Sequence, residues 1–164
     1  MIKIGRCDVC GWEKRSTTVS MDGCLTFQGK ATIGSGSVLC INKSGICCIG
    51  EKFRVTAGAS LICRHKITLG SNVLISWDTL IMDSDHHLIF NAGNKLLNPD
   101  APVQIGNNVW IGCRSTLLKG TAVPDGCIVA AGAVLTGKFE ENNSIIGGSG
   151  SGQRVIRSEV NWKA

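Results

Sequence analysis

Aliphatic residues recur every six positions along the C-terminal half of the chain. They fall at Ile105, Ile111, Leu117, Val123, Val129 and Leu135. The next position is small or turn-prone in most of these six-residue blocks, as at Gly106, Gly112, Pro124 and Ala130. Neither an α-helix nor a simple two-sheet sandwich keeps a period of six. A hexapeptide β-solenoid does, because each block forms one short strand and one corner. The pattern therefore predicts a β-solenoid.

The same phase continues upstream of residue 105. The opening slot holds Ile33, Leu39, Leu69, Ile75 and Ile81. Since strand side chains alternate between two faces, the residue two places earlier should also point inward. This predicts the inner pairs Val55/Ala57, Leu61/Cys63, Ile67/Leu69, Val73/Ile75 and Thr79/Ile81. The pattern fails at Lys43, Gly45 and Glu51, where we expect an irregular corner or a register slip.

The six-residue hydrophobic repeat stops at His87 and resumes at Val103. Residues 88–104 hold two of the three prolines and are predicted to leave the solenoid as an extruded loop. The apolar residues in this loop indicate that it packs against another surface. Residues 1–25 are interpreted as a cap or irregular first coil, and residues 140–164 as a C-terminal tail. The whole chain, 1–164, is predicted to be one domain.

Composition narrows the class of protein further. The 21 glycines, four Trp, four Phe and no Tyr suit a narrow coil with many tight corners. No run of about 18 apolar residues is present, so we expect no membrane span. The first six residues lack the apolar core of a signal peptide, which favours a cytoplasmic location. The net charge of +5 is spread without a basic and aromatic cluster, so we expect no nucleic-acid partner.

Nine cysteines raise the question of disulfides or zinc. Cys7 and Cys10 form one CxxC motif without a second pair at ligand spacing, whereas a tetrahedral zinc site needs four ligands. We therefore expect no metal. Cys63 and Cys127 fall on inward slots, with Cys47 as a third candidate, where Cys acts as a small hydrophobic residue.

Three stretches carry a resemblance to a known family. They are Ile105–Gly112 (IGNNVWIG), Ala130–Thr136 (AAGAVLT) and Asp83–His87 (DSDHH). With the six-residue register, the loop and the tail, they resemble the left-handed β-helix, or hexapeptide-repeat, acyltransferases. The galactoside, maltose and polysaccharide O-acetyltransferases are the most similar members. One departure is Gly148–Arg154, which lacks the proline that the family often has before its basic tail.

The resemblance implies a fold, an activity and an assembly. The fold is an all-β, left-handed parallel β-helix with one extruded loop and a short C-terminal tail. The activity is acetyl transfer from acetyl-CoA to a hydroxyl of a sugar or glycan. The assembly is a homotrimer with active sites between subunits.

Transfer of an acyl group from a thioester to a hydroxyl needs a base, and histidine titrates near neutral pH. The candidates are His86 and His87. Alternation places Asp85 and His87 inward and His86 outward. The similar galactoside enzymes have their base at this outward slot, which favours His86. A related Asp-x-Asp-x-His pattern selects His87 instead, and a loop-anchoring role for both histidines stays open. Asp83 and Asp85 are candidates to fix the imidazole tautomer or to bind acceptor hydroxyls.

The remaining site residues follow from position in the matched motifs. Small residues on the outer rungs leave space for the pantetheine arm of coenzyme A, and basic residues in the tail suit its phosphates. These candidate cofactor-binding residues are Cys113, Ala131, Thr136, Lys138, Arg154 and Arg157. Trp110 is expected to wall the groove beside the base. Corner packing and ordinary surface charge are the plain alternatives for these positions.

Three other functions remain open at this point. An N-acetyltransferase of an amino sugar needs no different base. A γ-type carbonic anhydrase needs three histidine ligands for zinc, and His65 is poorly placed to join His86 and His87. A non-catalytic solenoid needs neither the loop nor the histidine pair.

Overall fold

A computed structural model describes residues 1–6, 9, 11 and 15–163. Its regular elements are short strands and one 3₁₀ turn at Gly150–Gly152. The strands are β1 (Ile2–Arg6), β2 (Thr18–Met21), β3 (Cys24–Phe27), β4 (Ala31–Gly34), β5 (Val38–Ile41), β6 (Ile46–Ile49), β7 (Phe53–Val55), β8 (Ser60–Cys63), β9 (Lys66–Leu69), β10 (Leu74–Ile75), β11 (Leu80–Met82), β12 (Val103–Ile105), β13 (Trp110–Ile111), β14 (Thr116–Leu117), β15 (Ala122–Val123), β16 (Ile128–Val129), β17 (Val134–Leu135), β18 (Ile145–Gly147) and β19 (Arg154–Arg157).

The strands form three parallel sheets that the chain visits in turn. The first sheet runs β1-β4-β7-β10-β13-β16-β18-β19, the second β2-β5-β8-β11-β14-β17 and the third β3-β6-β9-β12-β15. Because each strand from β1 to β14 pairs with the strand three places along, successive turns of chain stack into a three-sided coil. The predicted left-handed parallel β-helix is confirmed. β19 alone is antiparallel, against β18.

Three stacked columns of turns join the sheets. The first corner, from the first to the second sheet, includes residues 76–79, 112–115 and 130–133. The second corner, from the second to the third sheet, includes residues 64–65, 83–102, 118–121 and 136–137. The third corner, from the third back to the first, includes residues 50–52, 70–73 and 106–109.

The predicted inner slots fill the centre of the coil. Every aliphatic opening-slot residue from Ile33 to Leu135 is at most 5% exposed. The five predicted inner pairs are buried as well, as are Cys47, Cys63 and Cys127. Burial of branched aliphatic side chains on all three sheets supplies the main stabilisation of such a coil.

The lower coils are longer than the upper ones. Ile33 pairs with Val55, 22 residues on, and Val55 pairs with Ile75, 20 residues on, whereas Ile111 pairs with Val129, 18 residues on. The irregularity expected around residues 43–51 is thus confirmed. The four and two additional residues together make one six-residue block. Residues before and after the irregular segment therefore keep the same six-residue spacing, even though the coils are not of equal length.

The structure forms strands within the segments that the sequence assigned to the N-terminus, the loop and the tail. β1, β2 and β3 pair with β4, β5 and β6, so part of residues 1–25 belongs to a first coil. The loop returns at Val103, which is buried and pairs with Ile67, so residues 103–104 are strand. Within the expected tail, Ile145–Gly147 adds a further strand to the first sheet. Cys7 and Cys10 lie outside the described residues.

Neither a membrane-spanning helix nor a cluster of metal-ligating side chains occurs in the described part of the chain. None of the helices described there has the length and apolar character needed to cross a membrane. In the same ranges, no group of three or more His, Cys, Asp or Glu side chains is placed to hold a metal ion.

Candidate functional site

The loop leaves the coil at the second corner, where Asp83 is fully buried. Its two carboxylate oxygens accept hydrogen bonds from the backbone N–H groups of Arg64 (2.8 Å) and His65 (2.9 Å) in the coil below. The thiol of Cys63 also donates to Asp83, at 3.4 Å. Burial, the charge of Asp83 and this hydrogen bond raise the pKa of Cys63 to about 12. Asp83 therefore joins two coils, and these donors occupy its oxygens.

The expectation that Asp85 and His87 point inward is wrong, since both side chains are exposed. Strand β11 ends at Met82, and Ser84 is buried directly after Asp83. The Ser84 hydroxyl accepts the backbone N–H of His86 (2.9 Å), and His86 has a φ of 60°. The chain turns sharply here, so the alternation of a strand no longer applies. Both histidines lie on the surface at the root of the loop.

A polar clasp closes the loop onto the coil above. The Lys119 ammonium donates to the Asp85 carboxylate at 2.6 Å and to the carbonyls of Asn98 (3.0 Å) and Pro99 (3.2 Å). The Asn98 side chain donates to Asp85 (2.8 Å) and to the carbonyl of His87 (2.8 Å). The hydrogen bonds from Lys119 and Asn98 lower the pKa of Asp85. We call Asp85, Asn98 and Lys119 the loop clasp.

Sequence reasoning missed Lys119 and Asn98. Lys119 lies 34 residues after Asp85 and carries no motif of its own. The predicted coil could have identified Lys119, because residues 118–121 lie at the same corner as the root of the loop, one turn further on.

The two histidines are held by their backbones. The carbonyl of His86 accepts from the Arg64 guanidinium at 3.3 Å, and Arg64 also lies 3.5 Å from the carboxylate of Asp100 across the loop. The imidazoles of His86 and His87 make no hydrogen bond to any residue within the described ranges. Fixed backbones with unoccupied imidazoles leave both rings available to a ligand.

The candidate cofactor residues divide between two corners. Cys113 and Ala131 stack at the first corner, where the N–H of Gly132 donates to the Cys113 carbonyl at 2.9 Å. The coils are close here, because a Cβ on Gly112 would lie 2.6 Å from the backbone nitrogen of Ala131. Lys138 lies beside the second corner and lines a cleft of about 120 Å³. Part of its wall is the returning loop at Ala101 and Pro102.

The upper end of the coil brings Thr136 close to the tail. The Thr136 backbone N–H donates to the Gln153 side-chain oxygen (2.7 Å), and the Gln153 amide donates to the Thr136 hydroxyl (2.8 Å). Arg154 and Arg157 lie at the two ends of β19, both exposed. Gln153 thus positions the start of this basic strand beside Thr136, a contact that the sequence did not predict.

Trp110 lies in the first sheet, whereas the histidines lie at the second corner. The Trp110 indole N–H donates to the hydroxyl of Ser76 at 2.9 Å. Its ring stands 6.2 Å from that of Trp162, tilted by 46°. The Trp162 N–H donates to the carbonyl of Asn108 at 2.8 Å, so the tail is fastened over the third corner. Within one protomer, Trp110 therefore belongs to a different face from His86.

Comparisons with known proteins agree with this architecture. The family model described as bacterial transferase hexapeptide (six repeats) matches residues 102–137. A putative acetyltransferase of Schizosaccharomyces pombe is 30% identical over 110 residues, which cover 67% of this chain and 53% of that protein. The galactoside O-acetyltransferase of Escherichia coli is 28% identical over 113 residues, 69% of this chain and 54% of that protein. The chain thus spans about half the length of these two relatives.

Solved structures share the fold at low sequence identity. The polysialic acid O-acetyltransferase OatWY has a TM-score of 0.61 and 20% identity, covering 100% of this chain and 92% of that one. The N-acyltransferase AntD of Bacillus cereus, solved with dTDP and coenzyme A, has a TM-score of 0.70 and 16% identity, covering 87% and 78%. These two structures show a shared fold. The chain thus carries the hexapeptide repeat of bacterial transferases, and its named sequence relatives are acetyltransferases.

Proposed function

We propose that this protein is an acetyl-CoA-dependent O-acetyltransferase acting on a hydroxyl of a sugar or polysaccharide precursor. The observation that carries the proposal is an exposed histidine pair on a fixed backbone, where the loop leaves the coil. Similarity to named acetyltransferases supports the reaction class. The acceptor class draws on relatives such as the galactoside O-acetyltransferase. A cytoplasmic location is part of the same proposal.

His86 is the proposed general base. As the acceptor oxygen attacks the thioester carbonyl, the imidazole removes the hydroxyl proton, and the tetrahedral intermediate then expels the thiolate of coenzyme A. The imidazolium returns the proton to that thiolate, so no net charge is left behind. Two observations support His86. It occupies the slot ahead of the loop that holds the base in the similar galactoside enzymes, and its backbone is anchored. Strand alternation gives no support, because the chain turns here. The Ser84 hydroxyl accepts from the backbone N–H of His86, and the Arg64 guanidinium donates to its carbonyl.

The loop clasp is proposed to set the position of the base. Asp85, which we expected to contact the imidazole or the acceptor, is engaged by Lys119 and Asn98. Asp83 is bonded to the coil below. Both aspartates therefore act on the base through the backbone of the loop root.

The site is proposed to be completed between subunits of a homotrimer. Cys113 and Ala131 lie at the first corner and His86 at the second, so the second sheet separates them within one protomer. A neighbouring protomer would bring the two corners together. The loop also exposes several large apolar side chains, which such packing would bury: Leu88 (61% exposed), Ile89 (54%), Phe90 (48%) and Leu97 (56%). Trp110 is proposed to contact the acceptor from a neighbouring subunit. Light scattering should give a trimer or a multiple of it, and a monomer at micromolar concentration would contradict this assembly.

Coenzyme A is proposed to lie along Cys113, Ala131 and Thr136, with its phosphates near the basic strand β19. Arg154, Arg157 and Lys138 are the proposed phosphate contacts. Ala131→Trp should fill the groove and raise the KM for acetyl-CoA. An unchanged KM in a folded variant would place the groove elsewhere.

The central test compares two neighbouring substitutions. His86→Ala should lower kcat by about 10²–10⁴, the usual effect of removing a positioned base, with little change in the binding of acetyl-CoA. His87→Ala is the matched control and should act mainly through stability. The opposite result would assign the base to His87, and full activity in both variants would refute a histidine-dependent mechanism. Acceptors should be screened as sugars, oligosaccharides and amino sugars, because N-acetylation of an amino sugar would use the same base.

A further inference from the structure

A basic groove at the lower end of the first sheet has no role in the function proposed so far. It has a volume of about 330 Å³. Its walls carry four exposed cationic side chains, Lys3, Lys30, Lys52 and Arg54, with the hydroxyl of Thr32 among them. We call this set the cationic groove.

The strand register brings the four charges together. Lys3 pairs with Thr32, and Thr32 pairs with Arg54, so these three side chains form one column on the outer face of the sheet. Lys30 and Lys52 stand directly before β4 and β7 and form a second column beside it. Since neighbouring strands lie about 4.8 Å apart, the two columns place four positive charges within about 10 Å along the stacking direction.

None of these four charges forms an ion pair with a residue in the described part of the chain. The ion pairs found there are Arg64 with Asp100 and Lys119 with Asp85, both at the second corner. The lining of the groove includes no Asp or Glu. Like charges held this close repel one another, so the arrangement disfavours the empty groove and favours an occupant with several negative charges.

The outer column leads from the cationic groove towards Trp110. Arg54 pairs with Leu74, and Leu74 pairs with Trp110, so the charged lower half of the sheet continues into an apolar upper half. Trp110 is 37% exposed, which leaves part of its ring available to a ligand. Lys3 and Trp110 are four strand spacings apart, or about 19 Å. A long ligand with both apolar ring faces and repeated negative charges fits such a surface.

We infer that the cationic groove binds an acidic glycan, a polysaccharide with repeated carboxylate groups, and leads it along the first sheet to Trp110. The inference rests on the proposed function, because it specifies the acceptor class. The carboxylates contact the cationic groove and a sugar ring lies against Trp110. A neutral oligosaccharide makes only the second of these contacts.

The test is a binding measurement without acetyl-CoA, so that it is independent of turnover. The protein is titrated with α2,8-linked oligosialic acid, with a malto-oligosaccharide of equal length and with inorganic polyphosphate. The oligosialic acid should bind at least tenfold more tightly than the neutral probe, and its affinity should fall as salt rises. Lys52→Gln/Arg54→Gln should weaken it by about tenfold, since each exposed ion pair makes a modest contribution.

The matched control is Lys43→Gln/Lys66→Gln, which removes the same charge at exposed positions outside the cationic groove. It should leave the affinity within about twofold. Equal losses in the two double variants would overturn the inference, because attraction would then depend on net charge alone. Equal affinity for the malto-oligosaccharide, or equally tight and equally Lys52/Arg54-dependent binding of polyphosphate, would overturn it as well. Acetyl transfer to a neutral acceptor, measured separately, reports on the proposed activity whatever the binding result.

Discussion

Replacing Asp83 tests whether this residue supports the corner or takes part in chemistry. In Asp83→Asn, one carboxylate oxygen becomes an NH₂ group that faces a backbone N–H. One of the hydrogen bonds from Arg64 (2.8 Å) and His65 (2.9 Å) is then lost, and the other has a neutral acceptor in place of a charged one. A hydrogen bond to a charged group contributes about 1.5–3 kcal/mol, so we expect a loss of about 2–3 kcal/mol in the free energy of unfolding. For a chain of this size that corresponds to a Tm about 5–10 °C lower.

The assay is thermal and urea unfolding at one fixed protein concentration, because the stability of an oligomer depends on concentration. Asp85→Asn is the matched control. Asp85 is exposed and pairs with Lys119 at the surface, where an ion pair contributes about 0–1 kcal/mol. Its Tm should therefore change by only a few degrees.

Activity measured well below the Tm separates the two interpretations. Folded Asp83→Asn should keep a kcat within a few fold of the native value, since the carboxylate is buried against the coil below. A Tm change no larger than that of Asp85→Asn would refute the structural reasoning. A large loss of kcat at unchanged Tm would return Asp83 to the catalytic machinery.

Three further experiments, two substitutions and one labelling measurement, probe the loop clasp, the tail and the buried thiol of Cys63. Lys119→Met should lower the stability of the loop at pH 7. Because Lys119 lowers the pKa of Asp85, its contribution is present above the unfolded pKa of about 4 and lost as the pH falls through the folded value. The difference from the native protein, followed by hydrogen exchange of the loop, should thus shrink below about pH 4. Trp162→Phe removes one hydrogen bond to the third corner and should cost about 1 kcal/mol in urea unfolding. Cys63 should resist alkylation at pH 8 in the folded protein, because it is buried and its pKa is raised, whereas exposed Cys24 should react. Rapid labelling of Cys63 would show that the lower coil opens.

Much of the fold could be predicted because a β-solenoid repeats one local rule. Each six-residue block needs one branched aliphatic side chain inside and a tight corner after it, and both requirements are visible in the sequence. Ile105 to Leu135 follow this rule without interruption, and all the aliphatic residues of that phase are buried. Even the irregular segment was visible, since charged or turn residues at Lys43, Gly45 and Glu51 cannot fill an apolar slot.

The side-chain positions in the candidate site could not be predicted from the same repeat. Alternation failed at Asp85 and His87 because it holds only while the backbone stays extended, and the chain turns at His86. The exposed surface follows no rule of periodicity, since solvent accepts almost any polar residue there.

The sequence by itself determined the coil, its inner side chains and the position of the break, because these depend on contacts that repeat at a fixed interval. Only the tertiary structure decided that Asp83 caps the coil below, that Lys119 holds the loop and that four basic residues share one groove. These contacts join residues between 18 and about 50 positions apart, brought together by stacking of coils of unequal length. Their partners are set by the register of the stacked coils, which no local pattern records.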